Sequence, residues 1–287
     1  MLQIGDIRIH MINESHIMVD PGGAFGLVPR VLWSPLLPPD ANHLVPMIHN
    51  NLVVQTSGKN ILVDTGHGTK MTEKQKGFIQ LTNPRGSMTE CLARIGLTPA
   101  DIHIVIDTHL HADHSGGNTS YDEAGRVVAT FPNATYYVQQ REYEDAMRPN
   151  ERTRATYIPM NYQPLYESGQ MQLLDGDTEI FSGITGHVTP GHTPGHMSIR
   201  FESNGEQGLF VCDMASYAIH FERLGWMTGY DVEPLVTLET KRHWQKWALE
   251  THATLIFAHD SQRVVGHYVM GADGKAAVVP VDNVEFV

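Results

Sequence analysis

His109-Leu110-His111-Ala112-Asp113-His114 puts three imidazoles and one carboxylate within six residues, directly after the apolar run Ile104-Val105-Ile106. Alternate side chains of an extended chain point the same way, so His109 and His111 can converge on one metal ion where a buried strand ends. Asp113 and His114 lie past that strand and can turn towards a second ion. Neutral imidazole and carboxylate are the usual donors for zinc-like divalent ions. With no thiolate in the run, an open catalytic site is favoured over a closed structural one. The competing plain reading is a histidine-rich surface turn, and the rest of the chain weighs against it.

Gly191-His192-Thr193-Pro194-Gly195-His196 is a punctuated loop presenting two histidines. Val211-Cys212-Asp213 ends an apolar run in a carboxylate, and Ile256-Phe257-Ala258-His259 ends another in an imidazole. This order of donors resembles the metallo-β-lactamase-fold hydrolase superfamily over most of the chain, from about residue 48 to about residue 262. Periodicity alone stops at α/β; the resemblance implies a four-layer αββα sandwich, two mixed β-sheets face to face with helices outside. It further implies that His109, His111 and His192 hold one divalent ion and that Asp113, His114 and His259 hold a second, with Asp213 bridging. Zinc is the first expectation for both ions, and the same donors accept iron, manganese or cobalt. A hydroxide between two cations is then the nucleophile, and Asp113 can carry a proton to the leaving group. Asp64 is implied to buttress the metal loop and His196 to support the ligands from behind. His67 reads as a loop histidine, because the ligand count is already full.

Within the superfamily the closer likeness is to quorum-quenching N-acyl-homoserine lactonases of the YtnP type and to the related methyl parathion hydrolases. Gly22-Gly23-Ala24-Phe25-Gly26-Leu27-Val28-Pro29 with Leu32-Trp33-Ser34, Phe131-Pro132-Asn133-Ala134 with Tyr137-Val138-Gln139-Gln140, and His259-Asp260 carry it. The activity implied is metal-dependent opening of a small-molecule lactone or ester. Phosphotriester hydrolysis at the same centre is the alternative. A non-catalytic, signal-binding member of the fold is a third class, but its usual mark is lost ligand residues and none is lost here. Some homoserine lactonases place a tyrosine three residues after the bridging aspartate, where it assists at the substrate carbonyl. That position is Ser216 here, and Tyr217, which follows, either replaces the tyrosine or belongs to the core.

Composition sets the outer bounds. With 41% hydrophobic and 18% charged residues over 287 positions the chain reads as globular, and a two-sheet sandwich of this length forms one domain, residues 1–287. No run of about 18 apolar residues offers a membrane span. Met1-Leu2-Gln3-Ile4-Gly5-Asp6 shows no signal-peptide pattern, so the expectation is a cytoplasmic protein. A net charge of −12 argues against a nucleic-acid partner, whose binders display a basic face. Cys91 and Cys212 fall in apolar contexts and read as buried thiols rather than a disulfide.

Working outward, Ile4 to Ile12 alternates like a first strand, and Asn51 to Gln55 with Asn60 to Asp64 read as a hairpin. Ser87-Met88-Thr89-Glu90 is a capping box opening a short helix. The strand before the motif is expected to reach His109, standing the ligands on a rigid element. Pro234 opens a helix with Trp244 and Trp247 on its core side, and Thr254 to Ala258 reads as the last buried strand. Residues 13–47 read as a long loop, at the cleft or at a dimer interface, or else folded onto its own core. Phe25, Leu27, Val31, Trp33 and Leu36 make it too apolar to be left in water. The expectation is a homodimer with this segment at its interface, and with Phe25 and Trp33 binding the substrate's acyl or aryl tail.

Overall fold

Apolar runs build two seven-stranded mixed sheets in the computed structural model, which describes residues 1–282 and 284–287. The first sheet runs in the order Leu2–Ile4, Ile7–Val19, Val45–Thr56, Lys59–Val63, Ile104–Ile106, Thr135–Gln139 and Met171–Leu174. Its pairing is antiparallel as far as Lys59–Val63 and parallel beyond. The second runs Thr178–Phe181, Ile184–Val188, Met197–Ser203, Glu206–Phe210, Thr254–Ile256, Val265–Met270 and Ala276–Pro280. Its one parallel pair lies where the helix Pro234–Thr251 crosses back.

The period-two rule divides each strand between two cores. Ile61 and Val63 face the space between the sheets with Ile199, Phe201, Phe210 and Ile256, while Leu62 points outward to Cys91 and Leu92 of the helix Met88–Arg94. Leu209 and Leu255 point outward on the other side, onto Trp244 and Ala248. Helices therefore cover both outer faces, as the αββα expectation requires. Phe201 and Phe210 are fully buried, and truncating either to alanine costs about 3–5 kcal/mol. Cys91 and Cys212 are buried free thiols.

The structure corrects the reading of residues 13–47. Residues 13–19 continue the strand Ile7–Val19 and residues 45–47 open Val45–Thr56, with Ile17 opposite Met47 and Val19 opposite Val45. A register shift between Asn13 and Ser15 breaks the alternation, and polar residues occupy buried positions there, which hid the strand. The true connection is residues 20–44, with short helices Pro21–Phe25 and Arg30–Trp33. Thr254–Ile256 is also not the last strand, because Val265–Met270 and Ala276–Pro280 follow. Gly266 packs against Val278 and Val279 without a side chain to mark the hydrophobic pattern. The helix Glu73–Phe78 buries none of its residues, so no apolar stripe announced it.

Candidate metal centre

The strand Ile104–Ile106 stops three residues short of His109, so the expected rigid strand end is replaced by a pinned loop. Its backbone donors have turned to carboxylates. The Thr108 N–H and hydroxyl donate to Asp64 Oδ1 at 2.8 and 3.0 Å, and the Leu110 N–H donates to Glu142 Oε1 at 3.0 Å. Asp64 takes a φ of +57°, a strained position for a residue with a Cβ. Glu142 also accepts from the hydroxyls of Tyr157 and Thr193, joining this loop to the one that carries His192. Gly195 makes that joint: a Cβ there would lie 2.3 Å from the Glu142 amide nitrogen.

All seven donors expected from the sequence meet above these carboxylates. His192 Nε2 and His114 Nε2 lie 3.3 and 3.4 Å from Asp213 Oδ2, with His109 Nε2 at 3.7 Å; His259 Nε2 lies 3.1 Å from Oδ1. Asp213 thus faces histidines of both groups, with His109, His114 and His192 on Oδ2 and His259 on Oδ1. Nitrogen also faces nitrogen: His114 Nε2 and His259 Nε2 are 3.2 Å apart, as are His192 Nε2 and His111 Nδ1 at 3.1 Å. His109 Nε2 is buried with no hydrogen-bond partner among the described residues. An orphaned buried nitrogen is costly, and lone pairs that face each other repel, so convergent nitrogens of this kind fit divalent cations. His109, His111 and His192 form one group with donor atoms within 4.8 Å of one another, and His109, His114 and Asp213 form another. Burial holds His109 well below the usual histidine pKa and His111 down to about 3, the neutral form that ligation needs. For Asp213 burial acts upward, but His259 and His192 outweigh it and keep the carboxyl well below its ordinary range.

Each ring is steered from its far side. His114 Nδ1 lies 2.9 Å from Asp64 Oδ2, His192 Nδ1 lies 3.0 Å from Asp231 Oδ1, and His259 Nδ1 donates to the Ile48 carbonyl at 2.8 Å. His196 accepts the Asp213 N–H on Nε2 at 3.2 Å and donates from Nδ1 to Thr189 at 2.8 Å. It therefore holds the Asp213 backbone. His49 Nε2 lies 3.1 Å from Asp113 Oδ2, and its ring packs edge to face on His259. The sequence reading missed His49, Asp231 and Glu142. A lone acid or histidine at no motif spacing carries no signal, and only Glu142's burial in a charged helix marks it in the structure.

A cavity of about 620 Å³ opens over this centre, with His111, Asp113, His192, Asp213 and His259 at its floor. Ile17, Val19, Met47 and Ile79 pack together as an apolar wall, and Met71 adds to the lining. Phe25 and Trp33 do not line it. Their rings stack 5.1 Å apart in a buried cluster, and Tyr217 stacks on Phe25 at 5.9 Å. The helix Pro21–Phe25 turns Phe25 inward, so these side chains are covered by each other and not by a ligand. Tyr217 donates to the Pro46 carbonyl at 3.3 Å and is core as well. Tyr121 and Tyr230 are the tyrosines that line the cavity, and the Tyr230 hydroxyl sits in the space left by Gly23.

Residues 44–259 match the model of the Metallo-beta-lactamase superfamily. An N-acyl homoserine lactonase of Bacillus sp is 29% identical over 226 residues, 75% of this chain and 82% of that protein. A probable metal-dependent hydrolase from Staphylococcus aureus shares the fold at a TM-score of 0.87 and 29% identity, covering 99% of this chain and 100% of that one. AidC, a dizinc quorum-quenching lactonase, shares it at 0.78 and 21%, covering 99% and 97%. The family match runs through every one of the seven donors and into both sheets, and the chain belongs to the metallo-beta-lactamase superfamily.

Proposed function

We propose that this chain is a metal-dependent lactonase that opens N-acyl-homoserine lactone rings, with residues 1–287 acting as one unit. The observation that carries the reading is the convergence of six His and Asp donors with Asp213 at the floor of a cavity with an apolar wall. His109, His111 and His192 would hold one ion, Asp113, His114 and His259 the other, and Asp213 both, with zinc best suited to the donor set. Bound there, two divalent cations supply Lewis acidity and lower the pKa of water towards neutrality. Asp113, partly open to the cavity and oriented by His49, receives the proton that water releases and passes it to the ring oxygen as the C–O bond breaks. Ile17, Val19, Met47 and Ile79 cover the acyl chain, where each buried CH₂ contributes about 0.8 kcal/mol.

Leu27, Val31, Leu32 and Leu36 remain exposed on the 20–44 connection, and a second copy of the chain would cover them in a homodimer. Among the described residues no helix is long and apolar enough to cross a membrane, and the two free thiols suit a reducing cytoplasm.

The test loads the protein with zinc, counts ions per chain, and ranks hydrolysis of N-acyl-homoserine lactones, phosphotriesters and thioesters. Two ions per chain with lactones fastest is the expected result. Triesters outpacing lactones at full loading would replace this reading with a phosphotriesterase, and Asp213→Asn keeping two ions and full activity would remove the bridging assignment.

A further inference from the structure

The polarity of one buried hydrogen-bond chain bears on which lactones the cavity selects, and rests on the lactonase reading above. His49 Nε2 lies 3.1 Å from Asp113 Oδ2, His49 Nδ1 lies 3.2 Å from Ser15 Oγ, and the same oxygen lies 3.0 Å from His67 Nδ1. All three linking residues are buried, and the two rings meet edge to face at 4.4 Å. An ionised carboxylate can only accept, so the His49 proton sits on Nε2 and its Nδ1 is an acceptor. The Ser15 hydroxyl then donates to His49, and its oxygen accepts from His67 Nδ1–H. That leaves His67 with a lone pair on Nε2. No protein group partners this nitrogen among the described residues, and His67 forms part of the cavity lining.

The order of groups along the cavity matters equally. The His49 ring touches His259 of the metal centre on one side and His67 on the other. Beyond His67 the same segment brings Met71 and Ile79 to the cavity lining. An acylated amino lactone has the same order, with a ring carbonyl, an amide N–H on the adjacent carbon, then an acyl chain. We infer that His67 Nε2 accepts this amide N–H, and that it sets the preference for N-acylated amino lactones over lactones that lack the group. His67 is thus a loop histidine that holds no ion and acts on specificity.

The zinc-loaded protein is assayed on N-hexanoyl-homoserine lactone and on its N-methylated amide counterpart. One hydrogen bond predicts a KM about tenfold lower for the N–H substrate. His67→Phe should raise that KM to the value of the methylated substrate while leaving the methylated KM and the bound metal unchanged. His67→Gln, which keeps an acceptor, should restore part of the gap. In ¹⁵N-histidine-labelled protein the His67 Nε2 resonance should fall in the unprotonated range. Equal KM values in the parent protein, a gap that survives His67→Phe, or a protonated Nε2 each overturns the inference while the lactonase reading stands. No turnover of either lactone at two ions per chain overturns the lactonase reading and this inference together.

Discussion

Asp231 Oδ1 and His192 Nδ1 lie 3.0 Å apart, on the side of the ring opposite to Asp213. Thr228 donates to the same carboxylate oxygen at 2.6 Å, and the Val232 N–H donates to the His192 carbonyl at 3.0 Å. The carboxylate fixes the tautomer that leaves Nε2 free for an ion and raises the basicity of the ring. Asp231→Ala is expected to weaken binding of the first ion by about 10–100-fold, with activity recovering in excess metal. A chelator competition titration reads this directly, and parental affinity in the variant would show that Asp231 only packs.

Phe25 and the cavity wall separate two effects that composition alone merges. Phe25→Ala should lower stability by about 3–5 kcal/mol and change KM equally for short and long acyl chains, because Phe25 touches Trp33 and Tyr217 behind the cavity. Ile79→Ala should instead raise KM for decanoyl over butanoyl lactones by roughly tenfold, the worth of about two buried CH₂ groups. Urea unfolding and a chain-length series check the pair, and a chain-length effect in the Phe25 variant would return Phe25 to the substrate.

Glu14 is buried beneath the Gly66 turn, where a Cβ would come within 2.6 Å of its Oε2. Burial pushes its carboxyl from 4.5 up to about 7. Between those values the folded chain holds a proton that the unfolded chain has lost, so this group's contribution falls as pH rises from about 4.5 to about 7. The loss is on the order of 3 kcal/mol at about 1.4 kcal/mol per pH unit. Glu14→Gln should be the more stable protein at pH 8 and should lack that slope. Identical pH slopes in urea midpoints for variant and parent would contradict the burial argument.

Leu27 is fully exposed and Val31 is 76% exposed on the connection between the two long strands. Leu27→Glu with Val31→Glu should convert a dimer to a monomer in sedimentation while the circular dichroism stays unchanged, since neither side chain supports the core. A parent that already sediments as a monomer would remove the interface.

The metal centre was legible because an ion selects donors by type and needs many of them; a run such as His109 to His114 is hard to explain any other way. His49, Asp231 and Glu142 were not legible, because one hydrogen bond can be made from any point in the chain that folding brings near. Composition showed that Phe25 and Trp33 must be covered, and said nothing about what covers them. The strand at residues 13–19 was hidden by the polar side chains it turns towards the site. Ser15 and Glu14 are buried on it because its inner face meets histidines and backbone amides in place of a second apolar sheet.

Four of the seven donors lie after Ile104–Ile106 in the first sheet, and three lie after Ile184–Val188, Glu206–Phe210 and Thr254–Ile256 in the second. Ions held by these residues would therefore clasp the rims of the two sheets together. Stripping such ions would leave the apolar interior intact and free one edge, so durability as well as turnover would depend on metal supply. Each tenfold rise in free ion above its dissociation constant adds about 1.4 kcal/mol against unfolding.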